Sequence, residues 1–175
     1  PFPFLPTFEP QKYSGDFLSG LDLPKVLFQV VGKHSEDSLK SWMQNNVNKG
    51  DLGVFIGNSS SSQSSTVSLE KAYSLRNEFA SDMLVGGVAI PERHFAKKDE
   101  HLRIASKIKN GASYFTTQAV YNIEASKNML SDYYYYSKSN NLPIVPVMMT
   151  FSPCGSKKTM EFMKWLGIHF PRWLK

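Results

Sequence analysis

Hydrophobic residues fall into five short, continuous runs, each followed by a longer segment in which apolar positions recur at helical spacing. Unbroken apolar runs of this length are typical of strands that are buried on both faces of a sheet. The predicted strands cover residues 25–31, 52–56, 83–90, 113–121 and 144–149.

Helices are predicted after these strands, over residues 36–49, 69–79, 100–110, 123–138 and 156–166. In the first helix Leu39, Trp42 and Met43 fall on one stripe, and Ser35 is placed to cap its N-terminus. Strict alternation of apolar strands with helices predicts an α/β fold with a parallel sheet, either a barrel or a doubly wound sheet. No GxGxxG follows a predicted strand, so the dinucleotide fingerprint of the open fold is absent.

Composition is compatible with one globular domain, since the 175 residues are 41% hydrophobic and 20% charged. A net charge of +5 and a pI of about 9.2 leave two interpretations open. One is an anionic partner, such as a nucleotide, a polyglutamylated cofactor, RNA or an acidic surface. The other is an ordinary basic protein, or a protein of the mitochondrial matrix, and the scattered lysines favour it.

Other features of the sequence indicate the cellular compartment and the limits of the domain. A single cysteine, Cys154, allows no internal disulfide and predicts a reducing intracellular compartment, either the cytoplasm or the mitochondrial matrix. No apolar stretch approaches the ~20 residues of a membrane span.

Residues 1–24 are predicted to form a proline-rich extended arm, residues 25–175 the domain, and the serine-rich segment 59–65 a flexible loop. Four consecutive tyrosines, 133–136, predict either an interaction surface or a half-buried helix end.

Polar residues collect where the predicted strands end, which is where ligands meet a parallel α/β fold. Gly57 and Asn58 follow the second strand, His94 follows the third, and Gln118 lies near the end of the fourth. Each has a structural alternative, because a histidine after a strand is often a loop residue and a buried glutamine can serve a structural hydrogen bond. Glu92 and His94 lack further ligands at a suitable spacing, so no metal site is predicted.

Four segments taken together are more specific, and they resemble the methylenetetrahydrofolate reductase family. GVAIPERH at 87–94 resembles that family's G-x-A-x-P-E-x-H, and KIKNGASYFTTQ at 107–118 resembles its K-x-x-x-G-A-x-x-x-x-T-Q. PIVPVMM at 143–149 is similar to P-I-x-P-G-I-M, and FPRWL at 170–174 to I-P-x-W followed by a hydrophobic residue. The resemblance runs in order from about residue 25 to residue 175.

The resemblance implies a (β/α)₈ flavoprotein in which NAD(P)H reduces FAD and the flavin passes a hydride to 5,10-methylenetetrahydrofolate. It places Gln118 at the folate substrate and Lys107 near the phosphates of the flavin cofactor. The remaining positions implied to contact the cofactor are Gly57, Asn58, His94 and Glu100.

Departures from the family pattern argue against an active reductase. The family's Arg-Gly-Asp becomes Ile56-Gly57-Asn58, so Asn58 is a degenerate catalytic position that keeps the shape and loses the negative charge. Counterparts of the first two β/α units and of the eighth strand are missing, so we expect a partial barrel of about five units whose open edges other protein chains cover. The predicted function is therefore a catalytically degenerate, structural or accessory subunit of a larger assembly. The alternative is a flavin-dependent reductase of one-carbon metabolism that binds FAD, NAD(P)H and folate.

Overall fold

The protein is described by a computed structural model that covers residues 18–47, 49–57, 66–165, 167, 168 and 170. The strands are β1 Val26–Val30, β2 Leu52–Ile56, β3 Val85–Ala89, β4 Tyr114–Thr117 and β5 Val147–Met148. The α-helices are α1 Glu36–Val47, α2 Leu69–Phe79, α3 Pro91–Lys97, α4 Glu100–Lys109, α5 Ile123–Ser139 and α6 Lys157–Trp165. A 3₁₀ turn, Val31–Lys33, follows β1. Within the described ranges, no helix has both the length and the apolar character that crossing a bilayer requires.

The five strands form one parallel sheet in the order β1-β2-β3-β4-β5. This confirms the predicted parallel α/β fold and decides between the two alternatives. A doubly wound sheet reverses its strand order at a switch point, whereas each strand here lies beside its neighbour in sequence. Sequential order without reversal is the arrangement of consecutive units of a (β/α)₈ barrel.

Two elements differ from the sequence-based expectation, and proline explains both. The segment after β3 was expected to be a loop, but Pro91 occupies the first turn of α3, where its missing N–H costs no hydrogen bond. Lys98 ends that helix in the left-handed conformation, with φ 56°. Strand β5 keeps only two of the six predicted residues, because Pro143 and Pro146 have no N–H to donate to the sheet.

Each face of the sheet has a different environment. On the outer face Phe55, Val85 and Phe115 pack against α-helical residues such as Tyr73 and Met43 in the main hydrophobic core. The inner face follows the opposite alternation and includes Phe28, Val54, Gly86, Tyr114 and Met148. Phe28 and Met148, on the two edge strands, are 45% and 43% exposed. The inner face is therefore closed over β2 and β3 and open at its edges.

The four consecutive tyrosines have different environments along α5. The Tyr133 hydroxyl is buried and accepts a hydrogen bond from the Val145 backbone N–H at 2.8 Å. Tyr136 is half-buried, while Tyr134 and Tyr135 are 45% and 67% exposed. The buried Tyr133 and half-buried Tyr136 fit a half-buried helix end, while the exposed Tyr134 and Tyr135 leave surface of the kind that an interaction requires.

Gly86 is the position at which the inner face tolerates no side chain. The Tyr114 ring lies across it, and the Tyr114 hydroxyl donates a hydrogen bond to the Gly53 carbonyl at 2.8 Å. A Cβ on Gly86 would lie 2.7 Å from the Tyr114 backbone oxygen and 2.7 Å from its ring. Backbone cannot move aside as a flexible side chain can, so the strand pair itself would have to shift.

We therefore expect Gly86→Ala to lower the free energy of unfolding by about 1–3 kcal/mol, the range for overpacking a core. Gly155→Ala is the control, since no atom lies within 4 Å of the Cβ it would add. Urea denaturation of both variants measures the difference. Equal stability of Gly86→Ala and the wild type would show that Tyr114 does not lie against this glycine.

Candidate functional site

Polar side chains meet at the carboxyl ends of β4 and β5. The Thr116 and Thr150 hydroxyls are 3.3 Å apart, and the Thr150 backbone N–H donates to the Thr117 hydroxyl at 2.9 Å. The Val120 N–H in turn donates to the Thr150 carbonyl at 2.9 Å. These bonds fix the segment after β5 against the end of β4. We call this region, formed by Thr116, Gln118 and Thr150, the strand-end rim.

Gln118 lies on this rim, on the inner side of the sheet. Its backbone N–H donates to the Ala89 carbonyl at 3.0 Å, which continues the ladder between β3 and β4 by one residue. Strand alternation therefore places Gln118 on the same face as Tyr114 and Thr116. The side chain is half-buried, so an amide donor and acceptor border the open inner face.

Lys107 lies along the outer side of β3. Its Nζ donates to the Val88 carbonyl at 2.7 Å, and it lies 5.9 Å from the centroid of the Phe115 ring. Gly87 makes room for it, because a Cβ there would lie 3.0 Å from the Lys107 Cδ. Burial lowers the pKa of Lys107 to about 8, an effect that the Glu100 carboxylate partly offsets. Within the described ranges Lys107 forms no ion pair, so it is a buried cation that suits an anionic ligand.

Glu100 is fully buried at the start of α4, and both of its carboxylate oxygens have partners within the protein. One accepts a hydrogen bond from the Ile90 backbone N–H at 3.0 Å, and the other accepts from Arg93 at 2.8 Å. These bonds anchor the turn that follows β3. Glu100 was predicted to contact a cofactor, and that role stays a prediction. Its side chain has no exposed surface, and its contacts within the described residues are structural.

His94 lies in the helix layer, where it contacts neighbouring helices. Its Nε2 is 3.0 Å from an Asp132 oxygen on α5, and its ring centroid is 5.4 Å from that of His101 on α4. The ring has no exposed surface. The structure brings His94 together with His101 and Asp132 and does not join it to the strand-end rim.

The prediction that no metal site is present was based on sequence spacing, and this grouping shows that spacing alone was not a sufficient basis. The sequence showed no further ligand at a suitable spacing from His94, but α4 and α5 supply His101 and Asp132 from positions up to 38 residues away. Ligand atoms of the three residues all lie within 4.8 Å of one another. Local spacing could not reveal this set, because its members come from three separate helices.

Glu92 is a titratable group at the start of α3 that sequence reasoning considered only as a metal ligand. Burial raises its pKa, and a hydrogen bond with its own backbone N–H partly offsets the effect. The raised pKa reflects a partly buried carboxyl group beside the end of β3. The signal in the sequence is its place directly after Pro91 at a strand end.

The end of β2 is described only as far as Gly57. This glycine is half-buried, and among the described residues no atom lies within 4 Å of a Cβ built on it. Asn58 lies outside the described residues, as do the predicted serine-rich loop 59–65 and the first 17 residues of the predicted arm. The roles assigned to Gly57 and Asn58 stay predictions.

Comparison with known proteins identifies relatives of the chain. The family model for methylenetetrahydrofolate reductase matches residues 54–175. No curated protein matches the chain.

Among solved structures, the chain is similar to an uncharacterized protein from Clostridium thermocellum that binds two copies of 5-methyl-5,6,7,8-tetrahydrofolic acid. The two are 50% identical with a TM-score of 0.81, over 97% of this chain and 58% of the other. The chain thus spans little more than half the length of that relative. It is also similar to 2,3-dimethylmalate lyase, a member of the PEP mutase/isocitrate lyase superfamily, at 12% identity and a TM-score of 0.48, over 87% of this chain and 64% of the other.

Proposed function

The chain belongs to the methylenetetrahydrofolate reductase family, and from this membership we propose that it binds a reduced folate at the strand-end rim without catalysing the reductase reaction. The observation that carries the proposal is the position of Gln118. It borders the open inner face at the end of a strand whose body is buried, beside the Thr116 and Thr150 hydroxyls. A pterin ring presents a fused row of ring nitrogens, an amino group and a carbonyl, and a primary amide complements such an edge by donating and accepting at once.

The similarity to a folate-binding protein supports the same ligand class. The Clostridium thermocellum protein binds 5-methyl-5,6,7,8-tetrahydrofolic acid and shares half of its residues with this chain over nearly all of the chain's length. On the inner face, the half-buried Val88 and the exposed Met148 offer apolar surface of the kind that a pterin requires. The shared residues therefore favour a reduced folate as the ligand class.

Loss of the reductase reaction is proposed from Asn58. The resemblance places a catalytic aspartate of the family at this position, and asparagine carries no negative charge. An amide also cannot exchange a proton near neutral pH, as a carboxyl group does in acid–base catalysis. We therefore infer that a bound folate is held or delivered without being reduced.

An accessory role in a larger assembly is consistent with the edges of the sheet. Phe28 on β1 and Met148 on β5 are both more than two-fifths exposed and lie on the inner face. Apolar side chains on the inner face of edge strands gain most when another protein segment continues the sheet. We propose that such a segment completes the folate site from the side opposite Gln118.

Flavin-dependent reduction is the second candidate, and Lys107 is the observation that favours it. A buried cation without an ion-pair partner in the described part of the chain fits the phosphates of FAD, and Arg93 lies nearby on α3. A bound flavin would supply hydride transfer from NAD(P)H to the folate. Lys107 would hold the anion, while Glu100 would fix the turn beside it. A flavin absorption band that NADH bleaches in the purified chain would favour this candidate over the first.

We expect Gln118→Ala to weaken the binding of 5-methyltetrahydrofolate by about 5- to 13-fold, since a half-buried amide that pairs with the ligand contributes roughly 1–1.5 kcal/mol. Isothermal titration of the wild type and the variant measures the ratio of dissociation constants. Gln44→Ala is the matched control, because Gln44 is an exposed glutamine on α1. Equal affinity in Gln118→Ala and Gln44→Ala would remove Gln118 from the site.

A further inference from the structure

A cluster in the helix layer, formed by His94, His101 and Asp132, has no part in the proposed folate site. His94 comes from α3, His101 from α4 and Asp132 from α5, and their ligand atoms lie within 4.8 Å of one another. We propose that this cluster binds a divalent transition-metal ion, with Zn²⁺ as the best-matched ion. The proposal stands independently of folate binding, because none of the three side chains lies on the strand-end rim.

The chemistry of the ligand set points to this class of metal. Two imidazoles and one carboxylate suit Zn²⁺ and its neighbours in the first transition row, whereas Ca²⁺ and Mg²⁺ prefer sites built from oxygen alone. Three protein ligands leave a position for water, as in zinc sites with an open coordination position. Asp132 is half exposed, with 51% of its side chain accessible, so the position reaches solvent.

Burial of the histidines supplies a second observation. His94 is completely buried, and its Nδ1 has no hydrogen-bond partner among the described residues. The Nδ1 of His101 is also buried without such a partner. Buried ring nitrogens normally find a partner, because burying a polar group without a hydrogen bond costs free energy. The His94 Nε2 already faces Asp132, so an ion in the cluster would provide a partner for the His101 Nδ1, a buried nitrogen that no described protein group satisfies.

Two of the three ligand atoms already have nearly the separation that Zn²⁺ requires. Tetrahedral Zn²⁺ with Zn–N bonds of 2.0–2.1 Å places its ligand atoms about 3.3 Å apart. The His94 Nε2 and the Asp132 oxygen are already 3.0 Å apart. His101 is half-buried, and its ring lies edge-on to that of Tyr136 at a centroid distance of 5.3 Å. Its ligand atom, within 4.8 Å of the other two, is the one that must approach them.

Metal binding would join three helices that carry site residues. His101 directly follows Glu100, whose carboxylate anchors the turn after β3 through the Ile90 N–H. An ion held by α3, α4 and α5 therefore stabilises the backbone on which Glu100 and Lys107 stand. The expected effect of the ion is on stability and on the position of α4.

The test is titration of the metal-free full chain with Zn²⁺, followed by isothermal calorimetry and thermal unfolding. We expect one Zn²⁺ per chain and a higher melting temperature in its presence. Asp132→Asn and His101→Asn remove ligands at accessible positions, and each is expected to weaken binding by about 100-fold or more, beyond the 10–100-fold loss typical of residues behind the ligands.

Glu124→Gln is the matched control, because Glu124 is an exposed carboxylate on the same helix as Asp132. It should bind Zn²⁺ as the wild type does. His34→Asn controls for adventitious binding by a histidine outside the cluster. The proposal is overturned if the wild type shows no saturable binding, or if Asp132→Asn and His101→Asn bind Zn²⁺ as tightly as Glu124→Gln.

Discussion

Glu100→Ala is expected to lower the free energy of unfolding by about 3–5 kcal/mol, the cost of removing one partner from a buried ion pair. Glu100 is fully buried, and the Arg93 side chain that pairs with it is 30% exposed. The substitution leaves the buried Ile90 N–H without its acceptor and removes the carboxylate whose charge favours the protonated form of Lys107. The Ile90 N–H, the Arg93 side chain and the Lys107 side chain each lose a favourable interaction at once. The effect on stability therefore exceeds that of one hydrogen bond.

Chemical denaturation measures this loss, and Glu124→Ala is its control. Glu124 pairs with Lys127 at 3.0 Å, but both side chains are about two-thirds exposed or more. Exposed pairs of this kind contribute about 0–1 kcal/mol, so the control should retain nearly the full stability. If Glu100→Ala costs no more than Glu124→Ala, the carboxylate does not anchor the turn after β3.

The second large effect is a dependence of stability on pH that comes from Lys107. Burial lowers the pKa of Lys107 to about 8, while a lysine in an unfolded chain has a pKa of about 10.4. Between these values the unfolded chain binds a proton that the folded chain has released, so the stability contributed by this group rises with pH. The rise begins near pH 8 and is complete near pH 10.4. It amounts to about 3 kcal/mol, since each pKa unit corresponds to about 1.4 kcal/mol.

Tyrosines act in the opposite direction at higher pH. Burial raises the pKa of Tyr114 to about 12 and also raises the pKa of Tyr73 above its ordinary value. A folded phenol that holds its proton above pH 10 contributes stability that is lost as the pH rises further. The window in which Lys107 dominates is therefore pH 8–10.

Lys107→Met isolates the lysine, because the tyrosines are common to both proteins. We expect the stability of the wild type relative to Lys107→Met to increase by about 2 kcal/mol between pH 7 and pH 10. Urea denaturation at closely spaced pH values measures the difference. Lys127→Met, at an exposed lysine on α5, should show no such change. A constant difference between the wild type and Lys107→Met would show that Lys107 is solvated.

Much of the fold was predictable from the sequence, because the central strands β2, β3 and β4 are buried on both faces. Runs such as that around Phe55 and Val85 carry a continuous apolar signal, and the alternation with helices requires parallel pairing. Ser35 was predicted to cap α1, and its hydroxyl accepts from the Ser38 N–H at 3.2 Å. Such signals are local and are readable from a few neighbouring residues.

The parts that the sequence did not reveal depend on contacts between distant residues. Nothing in the order of residues indicates that Glu100 closes on Ile90 or that Asp132 meets His94 across three helices. Glu100, which the resemblance assigns to the cofactor, also bonds Arg93 within the protein, and this contact could not be read from the sequence. The position of Gln118 near the end of β4 was readable from the sequence. It depends only on the strand that Gln118 follows and on the pairing of that strand with β3.

The most direct test of the account is calorimetric titration of the purified wild-type chain with 5-methyltetrahydrofolate, accompanied by a visible absorption spectrum of the same sample. We predict saturable folate binding in a colourless protein that leaves NADH unoxidised. Absence of any folate binding by a folded chain would contradict the proposed function, and a flavin-coloured protein that oxidises NADH would contradict the proposed loss of the reductase reaction.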